Sequence, residues 1–142
     1  SNPSNLLPNS GPYGLEFSPD SSKLYVSNDS SVIQFDLFSP SPSNSLVYIH
    51  TNPFNPVQNR VPFIGALQLG PDGRIYIANT DDYNSLDVIN EPNELGVNSD
   101  YVQNGLALAP GTSAVIGLPP FIQSFFLASI VFESSCVSSY YW

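Results

Sequence analysis

The chain carries one histidine, His50, and one cysteine, Cys136. A Ser-His-Asp or Cys-His nucleophile would have to be built on His50. That residue ends a strand-like stretch just before Thr51-Asn52-Pro53, and no G-x-S-x-G elbow accompanies it. Cys136 lies in a Ser-rich tail, and one His with one Cys cannot make a structural zinc site. Asp81-Asp82 with Asn79, Asn84 and Asp87 group oxygen ligands of the kind calcium favours, without the D-x-[DN]-x-[DN]-G spacing. The bland alternative for them is a polar rim loop. Glu16, Asp20, Asp36, Asp72, Asp87, Glu91 and Glu94 could supply a glycosidase pair, but nothing in their spacing selects two. Asp20 and Asp72 each follow a proline, where the carboxylate caps the next backbone N–H groups of a turn. No phosphate loop or dinucleotide fingerprint occurs. The residues therefore assign no catalytic, cofactor-binding or metal site, and a non-enzymatic protein is expected.

The elements that position these groups are strands. Charged residues make up only 11% of 142 positions, with Ser, Asn and Pro in their place, which argues against exposed helices. A hydrophobic content of 42% is enough for one packed domain. Net charge is −9, with Lys23, Arg60 and Arg74 as the permanent cations. Three scattered cations cannot form the stripe a phosphate backbone needs, so nucleic acid is excluded as a ligand. No run of 18 apolar residues is present, so no membrane-spanning segment is expected. With neither an initiator Met nor a signal peptide, the chain is expected to be a processed or excised piece of something longer.

A repeat organises the sequence. Leu15-Glu16-Phe17-Ser18-Pro19-Asp20 matches Leu67-Gln68-Leu69-Gly70-Pro71-Asp72 at an offset of 52. Lys23-Leu24-Tyr25-Val26-Ser27-Asn28 matches Arg74-Ile75-Tyr76-Ile77-Ala78-Asn79 at an offset of 51. The slip falls in the turn, where indels leave strand register intact. Each copy reads as strand, Pro-Asp turn, strand, which is hairpin chemistry. Further strands are expected at residues 31–38, 45–50 and 85–90, and at residues 4–8 as the outer strand of an earlier blade, with Pro-rich connectors at 39–44 and 52–62. A weak third copy is expected to begin at "GLALAPGTSAVIG", residues 105–117. Four short antiparallel strands per unit with a period near 50 is the pattern of a propeller blade. A β-sandwich is the structural alternative.

Tyr25 and Tyr76 occupy the same place in both copies, so a shared role in packing between blades is expected of them. Stacking on sugar is the other use of such tyrosines. Asn28-Asp29-Ser30 fits the N-glycosylation triplet. A blade buries its faces only against neighbours, so two blades imply further blades or another chain over the open faces.

"IGALQLGPDGRIYIAN", "LDVINEPNELG" and "GLPPFIQSFF" resemble the end of the β-propeller region in large secreted proteins of gliding Bacteroidota, which carry type B sorting domains for the type nine secretion system. "LLPNSGPYGLEFSPDSSKLYVSN" fits the preceding blade of that group. The resemblance implies an all-β fold, with residues 1–126 as an incomplete propeller of about two blades and a closing segment. It implies that residues 127–142 start an immunoglobulin-like domain, with Cys136 as half of a disulfide whose partner lies further along. The expected location is extracellular or at the cell surface, and the expected work is binding, adhesion or structural display. Other blades of the parent protein, another chain or a surface glycan are the expected partners. The loops 79–85 and 39–44 and the connector 52–62 are the candidate surfaces. The rivals are a multi-blade lyase or hydrolase with its site mainly in absent blades, and a subunit of an extracellular assembly.

Overall fold

A computed structural model describes residues 11–119. Eight strands follow in chain order: β1 (Pro12–Phe17), β2 (Lys23–Asn28), β3 (Ser31–Asp36), β4 (Val47–Thr51), β5 (Ile64–Leu69), β6 (Ile75–Asn79), β7 (Ser85–Ile89) and β8 (Tyr101–Ala107). They form two four-stranded antiparallel meanders, β1-β2-β3-β4 and β5-β6-β7-β8. Among the described residues helix is limited to two 3₁₀ turns, Pro42–Asn44 and Gly96–Ser99. The protein is all-β, and its sheets match successive propeller blades. A Greek-key sandwich needs strands that cross between sheets, and here every neighbour in a sheet is the neighbour in sequence.

The repeat is physical as well as textual. Register slips between Pro12 and Gly14 in the first sheet and between Ile64 and Leu67 in the second, the same place in both units. The Ser18 amide bonds the Lys23 carbonyl at 3.0 Å, and the Gly70 amide bonds the Arg74 carbonyl at 2.8 Å. The second turn does this with one residue fewer. Each turn needs one left-handed residue, Ser21 at φ 59° and Gly73 at φ 80°. The Asp20 carboxylate accepts from the Ser22 amide at 2.9 Å, and Asp72 accepts from the Arg74 amide at 3.3 Å, so both cap their turns.

The core lies between the sheets. Tyr25 and Val32 of the first sheet pack with Ile64, Leu67, Leu69, Ile75, Ile77 and Ile89 of the second, flanked by Ile49 and Tyr101. β1 and β2 both lie against β5.

Three expectations change. Residues 105–107 do not open a third copy; they finish β8, the fourth strand of the second sheet. The chain that next runs along β5 is a later stretch, where the Ala66 amide bonds the Ile116 carbonyl at 2.7 Å. Gly65 allows that approach, since a Cβ there would stand 2.2 Å from the Ile116 oxygen. Tyr25 and Tyr76 share a strand position but not their surroundings. Tyr25 is fully buried, whereas Tyr76 is half-buried beside an apolar groove with Leu86, Leu106 and Leu118. The reason is that the second sheet covers Tyr25, while no third sheet among the described residues covers Tyr76. Asn28 is 1% exposed, so its amide is closed to a glycosylating enzyme in the folded chain. The strand read at residues 4–8, the domain boundary at 126/127 and Cys136 lie outside the described residues.

Ser21→Gly removes the left-handed strain of the first turn and is expected to raise unfolding free energy by about 0.5–1 kcal/mol. Ile77→Ala is expected to lower it by about 2–5 kcal/mol. Urea melts check both; equal midpoints for all three chains would contradict this account of turn and core.

Candidate functional site

The polar side chains collect at the seam between the sheets. Gln34, fully buried on β3, uses its whole carboxamide there. Its Nε2 donates to the Tyr25 hydroxyl and to the Glu94 carbonyl, each at 2.7 Å, and its Oε1 accepts from the Gly96 amide at 2.8 Å. The Tyr25 hydroxyl in turn donates to the Pro92 carbonyl at 2.9 Å. The Glu16 carboxylate accepts from the Leu69 amide of β5 at 2.9 Å, and the Ser27 hydroxyl donates to the Gly65 carbonyl at 2.6 Å. Side chains of the first sheet thus satisfy backbone groups of the second, which would otherwise be buried without partners.

His50 belongs to this seam. Asn52 and Asn79 form a reciprocal amide pair, 2.9 Å one way and 3.1 Å the other. His50 Nε2 lies 2.9 Å from Asn52 Oδ1, an acceptor, so this nitrogen carries the proton. Asn79 donates to the Asp87 carboxylate at 2.7 Å, which also accepts from the Asn104 amide at 2.8 Å and from the Tyr101 hydroxyl. The Tyr101 ring stacks on His50 with centroids 4.5 Å apart. Asp87 is fully buried with three donors on two oxygens, which is how a carboxylate survives without a cation. Beside this cluster Ile49, His50, Gly96, Val97, Ser99 and Tyr101 line a cleft of about 270 Å³.

The five residues weighed for calcium separate. Asn79 and Asp87 turn into the seam. Asp81 and Asp82 stay on the rim, where Asp81 accepts from Asn55 at 2.8 Å and from Gln103 at 3.2 Å. The Asn84 amide and then the Ser85 hydroxyl hold the Asp82 carboxyl below its ordinary range. Among the described residues no three His, Cys, Asp or Glu side chains come together as a metal site. The three cations are engaged too: Lys23 on Asp36 at 3.3 Å, Arg74 near Asp72 at 3.8 Å, and Arg60 on the rim.

Of the candidate surfaces, two meet and one stands apart. Residues 52–62 and 79–85 join through Arg60, which donates to Thr80 Oγ1 at 2.9 Å, the Thr80 carbonyl at 3.1 Å and the Tyr83 hydroxyl at 2.9 Å. Gln58 adds a bond to the Asp81 carbonyl at 3.1 Å. Residues 39–44 connect β3 to β4 and so lie at the opposite end of the first sheet from its β2–β3 turn. No protein-family model, curated protein or solved structure matches this chain.

Burial raises the Tyr25 hydroxyl from the ordinary 10.0 to about 12, against smaller downward pulls from Gln34 and Ser99. Tyr101 is raised as well, first by burial and then by the Asp87 charge. The folded state keeps both phenols protonated, so their contribution is complete below pH 10 and is lost as pH rises through 10 to about 12 and beyond. The Tyr25 share is on the order of 2 kcal/mol. Unfolding free energy of the intact chain should fall over that range, and more gently for Tyr25→Phe. Parallel pH profiles for the two chains would contradict the assignment.

Proposed function

We propose that the chain is a non-enzymatic, extracellular β-propeller segment of a secreted or cell-surface bacterial protein, working in binding, adhesion or structural display. Its recognition surface is the rim built by residues 52–62 and 79–85. One observation carries this reading. The rim is pinned from within by Asn55, Gln58 and Arg60, while Phe54 and Val57 stand 57% and 93% exposed and Tyr83, bonded through its hydroxyl to Arg60, is 38% exposed. Large apolar side chains held in water on an ordered loop favour a partner that covers them. The titratable groups that could serve a catalyst have structural partners instead: His50 on Asn52, Asp87 on three donors, Glu16 on a β5 amide. The secreted setting rests on the resemblance of the repeat and of "GLPPFIQSFF" to propellers of gliding Bacteroidota.

The test immobilises the chain and offers bacterial exopolysaccharides and outer-surface proteins as probes. Phe54→Ala and Tyr83→Ala should weaken capture about tenfold or more, and His50→Ala should leave it unchanged. Capture indifferent to both rim variants would overturn the surface. Hydrolysis of glycoside or ester substrates that His50→Ala abolishes would overturn the non-enzymatic reading.

A further inference from the structure

Asn104-Gly105 is the single Asn-Gly pair in the chain; every other asparagine is followed by a residue with a Cβ. An asparagine closes on itself when the backbone nitrogen of the next residue reaches its side-chain carbonyl carbon. A regular ladder prevents this by holding that nitrogen, but here the ladder is interrupted. Pairing of β7 with β8 runs from Val88 opposite Val102 to Leu86 opposite Leu106, so residues 103–105 bulge out of register. Asn104 takes φ 54°, a left-handed conformation that Asn tolerates, and Gly105 adds no side chain to block rotation. Both residues are exposed to water. The carboxamide is also held from one side. Ser85 Oγ donates to Asn104 Oδ1 at 2.8 Å and to Asp82 Oδ2 at 2.9 Å. A hydroxyl donor on the carboxamide oxygen polarises the carbonyl and stabilises the oxyanion that forms when its carbon is attacked.

We propose that Asn104 is a site of spontaneous covalent modification, converted in the folded chain through a cyclic imide to aspartate and isoaspartate. The Gly105 nitrogen attacks Asn104 Cγ. The N–Cγ bond forms, the Cγ–Nδ2 bond breaks, and Nδ2 leaves as ammonia with the proton that Gly105 gave up. Water then opens the ring at either carbonyl carbon and returns a proton to the Gly105 nitrogen. Opening at Cγ leaves an ordinary backbone with a carboxylate side chain; opening at the backbone carbonyl carbon routes the chain through Cγ. Either product places a new negative charge where no cation meets it. The Ser85 hydroxyl has one proton to share between this carboxylate and Asp82. Asp87 lies alongside, since its Oδ1 accepts the Asn104 amide at 2.8 Å. Gln103 is engaged on Asp81 at 3.2 Å, and Arg60 on Thr80 and Tyr83. Like charges in one cluster repel. The modification therefore loosens β8 from β7 and reaches the loop 79–85 through Asp82.

The test ages the full chain in mildly alkaline buffer, folded and in urea, and follows each asparagine by peptide mapping and enzymatic methylation of isoaspartate. In the folded chain Asn104 should convert about tenfold faster than Asn98, which is exposed and followed by Ser99. Ser85→Ala should slow Asn104 about fivefold in the folded chain, the worth of one neutral hydrogen bond, and leave its rate in urea unchanged. Asn104→Asp, the ordinary-backbone product, should lower the urea midpoint, and by less in an Asp82→Asn background. Conversion no faster at Asn104 than at Asn98, equal slowing by Ser85→Ala with and without urea, or the same loss from Asn104→Asp in both backgrounds would each overturn the proposal. If Ser85→Ala fails to fold, the comparison of Asn104 with Asn98 and the Asp82 background still decide.

Discussion

A sheet cannot bury its flank against another sheet unless the polar groups there find partners. The first strand of the second sheet, β5, turns the Leu69 amide and the Gly65 carbonyl toward the first sheet. The connection between β7 and β8 brings the Pro92 and Glu94 carbonyls and the Gly96 amide to the same seam. Burying these groups unpaired would cost more than apolar contact returns. Glu16, Tyr25, Ser27 and Gln34 meet all five. The apolar core around Ile75 and Ile77 depends on that arrangement, because it closes only when the seam does.

This explains a composition that looks poor in chemistry. A buried Gln or Asn offers donors and an acceptor without the desolvation penalty of a full charge. Gln34, Asn52 and Asn79 therefore do between the sheets what ion pairs do elsewhere. Asp87, the one fully buried carboxylate among the described residues, is held by two side-chain donors and a backbone amide, with the Tyr101 ring placed over His50. His50 is part of this structural lattice, whereas Phe54 and Val57 on the rim are exposed to water.

Hairpins were legible in the sequence because Pro-Asp turns and two-residue alternation are local signals. Seven of the eight strands fall where that pattern puts them. β8 escaped for a physical reason. Its centre reads Asn104-Gly105, which is turn chemistry, and its side chains from Val102 to Ala107 are exposed, so no alternation marks it. The structure keeps the strand continuous by a bulge: Asn104 sits at φ 54° and its amide is anchored on Asp87. The seam was equally hidden, since its partners lie up to 67 residues apart. One sign was available. Asp87 interrupts an apolar strand at an inward position, and a carboxylate there demands donors. The likeness of Tyr25 and Tyr76 misled because a repeat equates strand positions, while surroundings depend on which neighbouring sheet is present.

The central claim is that side chains of the first sheet hold backbone groups of the second. Native-state hydrogen exchange at the Leu69 and Gly96 amides tests it most directly, because their partners are the side chains of Glu16 and Gln34. The account predicts that both exchange as slowly as the core amides of β6. Exchange of either amide at the rate of an open loop would contradict it.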